Sequence, residues 1–196
     1  MTKPKVHTEA SICSTLNNKY NGNSRYKLSN AFVFKQNWES DFFVLKENGY
    51  SYEFEVKISR SDFLNDKKKV DKHLILETGK YISIGSKGTF NTQTKIWDYK
   101  EVKTEVAHEY RPNKFYYVVP AGMISIDEIP AYAGLMYIDD YSQITTVKEA
   151  PFIHKLKLDY EQTLCGKFYA YWINCKNEIR LLKQEVEYLK RQHSNQ

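Results

Sequence analysis

The stretch "YEFEVKISRSDF", residues 52–63, decides the fold because it joins an alternating strand pattern to the start of a helix. Successive side chains of a strand point to opposite faces of a sheet, so Glu53, Glu55 and Lys57 share one face. The other face is apolar and carries Tyr52, Phe54, Val56 and Ile58. We therefore expect the apolar face to be buried and the charged face to be displayed.

Two further strands and a helix are predicted before this stretch. Asn48-Gly49 is a strong hairpin-turn signal, and it joins "SDFFVLKENG", residues 40–49, to the strand just described. The segment "NAFVFKQNW", residues 30–38, predicts the first strand of the same meander. Upstream of it, "HTEASICSTLNNKY", residues 7–20, predicts an amphipathic helix with Thr8 as its N-cap.

The elements after the stretch complete a mixed α/β pattern. The segment "SRSDFLNDKKKVDKHLIL", residues 59–76, predicts one helix capped by Ser59 or Ser61. Residues 77–112 fit either an inserted hairpin or a flap. Two strands follow, "KFYYVVP" (114–120), which is apolar enough to be buried on both faces, and "GLMYIDD" (134–140). The predicted order is helix, three-strand meander, helix and buried strand, in an α/β fold.

Acidic residues on neighbouring strands make a metal centre the leading chemical interpretation. If the hairpin register brings Asp41 beside Glu55, the two carboxylates repel each other and a divalent cation neutralises them. Oxygen ligands and retained waters suit Mg²⁺, with Lys57 placed to hold the attacking water. Glu9, on the first helix, is a further candidate. Exposed strands commonly carry Glu and Lys for solubility and cross-strand pairing, so the spacing by itself favours a structural role.

Composition restricts the class of protein. The 196 residues are 41% hydrophobic and 15% aromatic, which suits one globular domain with an appendage. The chain has no apolar run of about 18 residues and no signal-like N-terminus, so we expect no membrane insertion and a cytoplasmic setting, in a bacterial or phage-infected cell. The cysteines Cys13, Cys165 and Cys175 are scattered, which predicts buried thiols rather than disulfides or a zinc site.

A basic run follows the strand–helix junction. The net charge is +5, and Arg60, Lys67, Lys68 and Lys69 are candidates for contacts with nucleic-acid phosphates, although such a run is equally typical of a solvated helix face. Asp62 and Asp66 are expected to cap or decorate the second helix. The five histidines show no metal-ligand spacing, so we assign them no chemistry.

The last 36 residues, 161–196, have a different pattern. Apolar side chains alternate spacings of three and four, which is typical of a heptad seam on a helix. They are Phe168, Trp172, Cys175, Ile179, Leu182, Val186 and Leu189. Three interpretations stay open: a helix docked on its own domain, a homodimer through residues 168–193, or a helix that binds another protein.

Two segments resemble a known family. "SDFFVLKENGYSYEFEVKISRSDFLNDKKK" and "NKFYYVVPAGMISIDEIPAYAGLMYID" are similar to the PD-(D/E)XK nuclease superfamily, and more narrowly to its MmcB-like DNA-repair branch and related phage proteins. The resemblance covers roughly residues 5–140. It implies a restriction-endonuclease-like core and metal-dependent cleavage of DNA, with Asp41 and Glu55 as Mg²⁺ ligands (Mn²⁺ as a substitute), Lys57 as the catalytic lysine and Glu9 as the first-helix acid.

The sequence departs from the family at several points. Ser40 stands where the superfamily name has proline, and residues 77–112 and the heptad segment lie outside the match. We therefore expect a nuclease-like domain over residues 1–160 and a C-terminal helix over 161–196. The alternative is a catalytically silent nuclease fold that binds DNA or protein, and nothing in the sequence separates DNA from RNA as substrate.

Overall fold

The computed structural model describes residues 6–34 and 38–194, which form a mixed α/β fold and a long C-terminal helix. The chain divides into two compact units, Met1–Leu158 and Asp159–Gln196. The elements are α1 (Glu9–Lys19), β1 (Ser24–Ala31), β2 (Ser40–Lys46), β3 (Ser51–Val56), α2 (Arg60–Asp66), α3 (Val70–Thr78), β4 (Lys80–Asn91), β5 (Ile96–Ala107), β6 (Lys114–Pro120), β7 (Ala133–Ile138), β8 (Ile144–Lys148) and α4 (Glu161–Ser194).

Helix α1 begins where its capping residue predicts. The Thr8 side chain accepts a hydrogen bond from the backbone N–H of Ser11, and the Ser11 side chain accepts one from the backbone N–H of Thr8. This reciprocal pair satisfies two amides that the helix itself leaves unbonded. Ile12 and Leu16 are fully buried and belong to the same cluster as Phe42 on β2. Helix α1 thus covers the apolar face of the sheet.

The first unit is built on a six-stranded mixed sheet in the order β1-β2-β3-β6-β7-β8. Strands β1, β2 and β3 are antiparallel neighbours, and the β2–β3 turn is the predicted Asn48-Gly49 hairpin, in which Gly49 has φ +85°. Strand β6 pairs parallel to β3, and β7 pairs parallel to β6. The strand β8, which the sequence did not predict, closes the sheet in an antiparallel pair with β7.

The first predicted strand was wrong in position. Strand β1 is Ser24–Ala31, a half-exposed edge strand, whereas the more apolar segment after it is not a strand where described. Val33 and Phe34 are fully buried, and the Phe34 ring packs 5.8 Å from that of Phe43. These apolar side chains fill the core from a segment that is not part of the sheet, which explains why hydrophobicity misplaced the strand. Residues 35–37 of the prediction lie outside the described residues.

The single helix predicted over residues 59–76 is two helices. Ser59 is the N-cap, since its hydroxyl accepts a hydrogen bond from the Asp62 backbone amide. The chain then turns at residues 67–69, where the Lys69 backbone N–H donates to the Asp66 carbonyl at 2.9 Å. Lys69 has φ −77° and ψ 65°, outside the helical region, and α3 starts after it. The break brings the end of α2 and the start of α3 over the same part of the sheet.

Residues 77–112 contain a hairpin, one of the two arrangements that the sequence left open. Strands β4 and β5 pair antiparallel from Lys80↔Ala107 to Asn91↔Ile96 and form a separate two-stranded sheet. Most of their side chains are exposed, including Phe90, Trp97 and Tyr99.

The second unit is the helix α4, which runs for 34 residues. The three cysteines are free thiols, but the expectation of burial holds for Cys13 alone: Cys165 is exposed and Cys175 is half-buried. Burial raises the pKa of the Cys13 thiol to about 12, so this thiol stays protonated. Across residues 6–34 and 38–194, no helix has the length and apolar character required to traverse a bilayer.

Candidate functional site

The hairpin register brings Asp41 and Glu55 to the same place on the sheet. Phe42 pairs with Phe54 and Phe43 pairs with Glu53, so one further step sets Asp41 opposite Glu55. Directly opposed side chains of an antiparallel pair point to the same face. The Asp41 carboxylate accepts a hydrogen bond from the Val56 backbone N–H at 2.7 Å, which fixes it at the end of β3.

The charged face of β3 is buried, contrary to the expectation that it is displayed. The exposed fraction is 0% for Glu53, 1% for Glu55 and 5% for Lys57. The reason is that α2 and α3 cover this face, as α1 covers the other. Ile58, assigned to the buried side, is instead 47% exposed because it follows the end of β3.

Three lysine ammonium groups surround the Glu55 carboxylate. Lys57 Nζ lies 2.6 Å from Oε1, and Lys69 Nζ lies 3.2 Å from the same oxygen. Lys72 Nζ, on α3, lies 2.5 Å from Oε2. Such contacts offset the cost of burying a charge, which is large for an unpaired carboxylate. We call this group, together with Asp41, Glu53 and Asp66, the carboxylate–lysine cluster.

Glu53 forms the inner part of the cluster. Its Oε1 accepts a hydrogen bond from the indole Nε1 of Trp38 at 2.7 Å and lies 3.1 Å from Lys72 Nζ. Its Oε2 is buried and has no hydrogen-bond partner among the described residues. Burial raises the pKa of Glu53, and the charge of Glu55 adds to this, while Lys72 acts in the opposite direction.

Asp66 also belongs to the cluster, so the expectation that it caps or decorates α2 is wrong. It is 1% exposed, and its Oδ2 accepts a hydrogen bond from the Tyr117 hydroxyl at 2.8 Å. Lys69 Nζ lies 2.9 Å from Oδ1 and His73 Nε2 lies 3.3 Å from Oδ2. Burial alone would raise the pKa of Asp66, but the His73 contact and the nearby lysines hold that pKa well below its ordinary value.

The pKa of the Asp41 carboxyl group is raised toward neutral pH. Burial, together with the negative charge of Glu55, raises its pKa from 3.8 to about 7, against the opposing effects of the Val56 amide and Lys57. Glu9, exposed in the first turn of α1, adds a smaller increase through its charge. Glu9 therefore lies within electrostatic range of Asp41.

The predicted metal ligands Asp41 and Glu55 are two carboxylates, and the Glu55 oxygens already contact three lysine ammonium groups. Within the described part of the chain, no three His, Cys, Asp or Glu side chains converge as a metal-binding group. Mg²⁺ is often bound by one or two carboxylates and keeps several waters. The raised pKa of Asp41 shows that this corner disfavours a further negative charge, and a cation there would relieve that penalty.

The residues predicted to contact nucleic acid occupy different environments. The Arg60 guanidinium is engaged by the Glu128 carboxylate and donates to the Met123 carbonyl at 3.1 Å. Lys67 Nζ lies over the Phe63 ring. Lys68 Nζ donates to Asn65 Oδ1 at 2.9 Å, whereas Lys69 is half-exposed and joins the cluster. Lys67 and Lys68 thus present charge to solvent beside the cluster.

Sequence reasoning missed Glu53, Asp66, Lys72 and His73 as site residues. One signal was available: Asp66, Lys69 and Lys72 are three apart, so they would share one face of the single helix predicted after Glu-x-Lys. The helix break at residues 67–69 was not predicted, and this break sets how the three side chains approach Glu55.

Comparisons with known proteins show the fold and nothing more specific. No family model matches the chain, and no curated protein matches it. Among solved structures, the chain is similar to the SPO1766 protein of unknown function from Silicibacter pomeroyi, with a TM-score of 0.52 and 17% sequence identity. The match covers 91% of this chain and 92% of that one. At this identity the similarity concerns the mixed α/β fold alone.

Proposed function

We propose that the protein is a metal-dependent deoxyribonuclease that hydrolyses phosphodiester bonds, in DNA repair or processing or in a phage-related role. The observation that carries the proposal is the juxtaposition of Asp41 and Glu55 on adjoining strands with Lys57 Nζ 2.6 Å from Glu55. Two carboxylates and a lysine at the end of a hairpin are a suitable set for a hard cation and a phosphodiester.

The order of elements supports a restriction-endonuclease-like core. Helix α1 is followed by the antiparallel strands β1, β2 and β3, then by α2 and α3, and then by β6, which pairs parallel to β3. This is the order that the resemblance to PD-(D/E)XK nucleases implies. Asp41 lies on its second strand and Glu55 on its third, and Lys57 directly follows the third strand.

Asp41 and Glu55 would hold Mg²⁺, with Mn²⁺ as a substitute. When bound there, the ion supplies polarisation of a phosphodiester oxygen and a more acidic bound water. Because burial and the charge of Glu55 raise the pKa of Asp41 to about 7, a cation held there would favour the ionised form of Asp41. The hydrogen bond from the Val56 amide orients its carboxylate toward the end of β3.

Lys57 and Lys72 have different proposed roles because they lie at different positions in the cluster. Lys57 is placed beside Glu55 to orient the attacking water and to offset negative charge that develops on the phosphate. Burial alone would lower the pKa of Lys72, but Glu53 and Glu55 raise it above its ordinary value, so Lys72 stays protonated. Lys72 is therefore a positioning residue that fixes the Glu55 carboxylate.

One observation favours the alternative of a catalytically silent nuclease fold that binds DNA or protein. Both carboxylate oxygens of Glu55 are in contact with lysine ammonium groups, Oε1 with Lys57 and Lys69 and Oε2 with Lys72. Such pairing satisfies the carboxylate without a cation. On this alternative, the carboxylate–lysine cluster is a buried structural network, and the exposed lysines Lys67 and Lys68 bind nucleic acid without any cleavage.

A cleavage assay separates the two functions. Purified protein is incubated with single-stranded, double-stranded and branched DNA, and with RNA, in Mg²⁺, Mn²⁺ or EDTA. We expect divalent-dependent cutting that Asp41→Asn and Lys57→Met each reduce by about a hundredfold or more, with Lys19→Ala, an exposed lysine of α1, as the matched lysine control that stays active. Absence of cutting with every substrate and metal, or cutting that Asp41→Asn and Lys57→Met leave intact, overturns the proposal. Salt-sensitive DNA binding without cutting supports the silent fold.

A further inference from the structure

Helix α4 carries an apolar stripe that is open to solvent in a single chain. Trp172, Val186 and Leu189 are each 50% exposed, and Ile179 and Leu182 are each 53% exposed. These side chains recur at spacings of three and four, so they lie along one side of the helix. Exposed apolar stripes of this regularity mark a surface that another helix covers.

The stripe follows a heptad repeat whose residue types favour two strands. Ile179 and Val186 occupy the a positions, and Leu182 and Leu189 occupy the d positions. β-Branched residues at a with leucine at d favour a parallel dimer over trimers or tetramers. Trp172 and Cys175 extend the same a and d series toward the N-terminus of the helix.

The charges beside the stripe are sorted by sign. Each e position of three successive heptads is a lysine (Lys176, Lys183 and Lys190), and two successive g positions are Glu178 and Glu185. A g residue and the next e residue are five apart, which turns them to different sides of one helix, so Glu178 cannot pair with Lys183 of its own chain. A g–e pair of this kind can therefore form only between two helices.

The positions of these charges favour a second copy of the same helix as the partner and a parallel orientation of the two helices. In a parallel pair, the g residue of one helix faces the following e residue of the other, so Glu178 meets the second copy's Lys183 and Glu185 meets its Lys190. In an antiparallel pair, g faces g and e faces e, which opposes glutamate to glutamate and lysine to lysine. The helix is thus complementary to itself in the parallel direction.

We propose that residues 172–190 of α4 form a parallel, in-register, two-stranded coiled coil with a second copy of this chain. The occupant is a second copy because one sequence supplies both halves of every e–g pair. This interface is independent of the proposed nuclease activity and of Asp41, Glu55 and Lys57.

Charge-reversal variants of the full chain test the partner. Light scattering or sedimentation at micromolar concentrations should give twice the mass of one chain. Glu178→Lys/Glu185→Lys and Lys183→Glu/Lys190→Glu should each weaken self-association by about tenfold or more, because every e–g pair becomes repulsive. Mixed in equal amounts, the two variants should recover the dimer. Circular dichroism checks that each remains folded. A monomeric natural sequence, or dimers unaffected by both reversals, overturns the proposal.

Cross-linking tests the direction. In a Cys13→Ser/Cys165→Ser chain, Cys175 is the remaining thiol, and a parallel in-register pair places it at the same d layer as its counterpart. Diamide should convert the natural dimer of this variant into a disulfide-linked dimer. The matched control adds Cys175→Ser and Gln184→Cys, which moves the thiol to an outer f position and should abolish cross-linking. Cross-linking that is equal in both, or absent from the Cys175 chain, contradicts a parallel register.

Discussion

Lys72 Nζ on α3 lies 2.5 Å from Oε2 of Glu55 on β3, and both side chains are buried. The contact joins α3 to β3, the strand that carries Glu55, one of the two candidate metal ligands. Because Glu53 also contacts the ammonium group, Lys72 is paired with two carboxylates that have no access to water. The position of the Glu55 carboxylate therefore depends on Lys72, a buried lysine of α3.

Replacing Lys72 should destabilise the protein severely. Lys72→Ala leaves Glu53 and Glu55 buried with fewer opposing charges, and breaking a buried ion pair costs about 3–5 kcal/mol in free energy of unfolding. Urea unfolding monitored by circular dichroism measures the change. The combination Lys72→Met/Glu53→Gln should recover part of the loss, since it removes both partners of one pair.

Lys68→Ala serves as the matched control for that measurement. Lys68 is exposed and donates to Asn65, so its removal should change the free energy of unfolding by less than about 0.5 kcal/mol. A cost below about 1 kcal/mol for Lys72→Ala would contradict a buried network of this kind.

The titration of Asp41 should appear in stability as a function of pH. Between pH 3.8 and about 7 the folded chain holds a proton on Asp41 that the unfolded chain has lost. The free energy of unfolding therefore falls as pH rises through this range, with a slope of up to about 1.4 kcal/mol per pH unit from this group. Comparison with Asp41→Asn isolates the effect, because the asparagine variant lacks this slope. Parallel pH profiles for the two proteins would refute the assignment.

Magnesium affinity should increase as pH rises, whereas the free energy of unfolding falls. If Asp41 is a ligand, the ion would bind its ionised form, so the apparent dissociation constant should rise about tenfold for each pH unit below 7. Isothermal titration calorimetry at pH 6, 7 and 8 measures this trend. Asp41→Asn should remove it, and Glu9→Gln should leave it nearly unchanged if Glu9 acts through charge at a distance. Binding that is independent of pH would argue against Asp41 as a ligand.

The lysines of the α2–α3 turn should govern DNA affinity and its salt dependence. If Lys67 and Lys68 each contact a phosphate, Lys67→Ala/Lys68→Ala reduces the slope of log affinity against log salt by about 2. The control is Lys19→Ala/Lys27→Ala. Lys19 is the last residue of α1, which covers the opposite face of the sheet, and the Lys27 ammonium donates a hydrogen bond to the Asn17 carbonyl of the same helix. Fluorescence anisotropy with a labelled oligonucleotide gives both slopes. An equal change in the two variants would exclude a local phosphate surface.

Gly134 on β7 should tolerate no side chain. A Cβ at this position would lie 2.4 Å from the Tyr116 ring and 2.6 Å from the Ala150 backbone nitrogen, which is too close for any carbon atom. Gly134→Ala should therefore cost about 1–3 kcal/mol or more through overpacking. Gly22→Ala is the matched control, since nothing lies within 4 Å of its Cβ. Thermal unfolding of both variants distinguishes a steric cost from a general effect of alanine.

Much of the first unit was predictable because local signals agreed with tertiary packing. The Thr8 cap, the Asn48-Gly49 turn and the apolar run of β6 each specify an element without reference to the rest of the chain. The edge strand β1 was misplaced because its half-polar residues carry little strand signal, while Val33 and Phe34 are apolar for packing reasons.

The site was predictable as a pair of carboxylates with a lysine, but its burial was not. Alternation on β3 shows which residues share a face, and it cannot show that helices cover that face. Asp66 and Lys72 reach Glu55 because α2 and α3 meet at residues 67–69, a break that no glycine or proline marks in the sequence. The burial of the site is therefore set by long-range packing of α2 and α3 on the sheet, which the periodicity of the sequence does not show.

The most direct test is a crystal structure of the protein soaked with Mn²⁺, measured at a wavelength where manganese scatters anomalously. We predict one anomalous peak about 2.0–2.3 Å from carboxylate oxygens of both Asp41 and Glu55, with Lys57 beside it, and no peak in Asp41→Asn crystals treated identically. A Glu55 carboxylate that keeps its lysine contacts, with no manganese between it and Asp41, would contradict the metal-dependent nuclease.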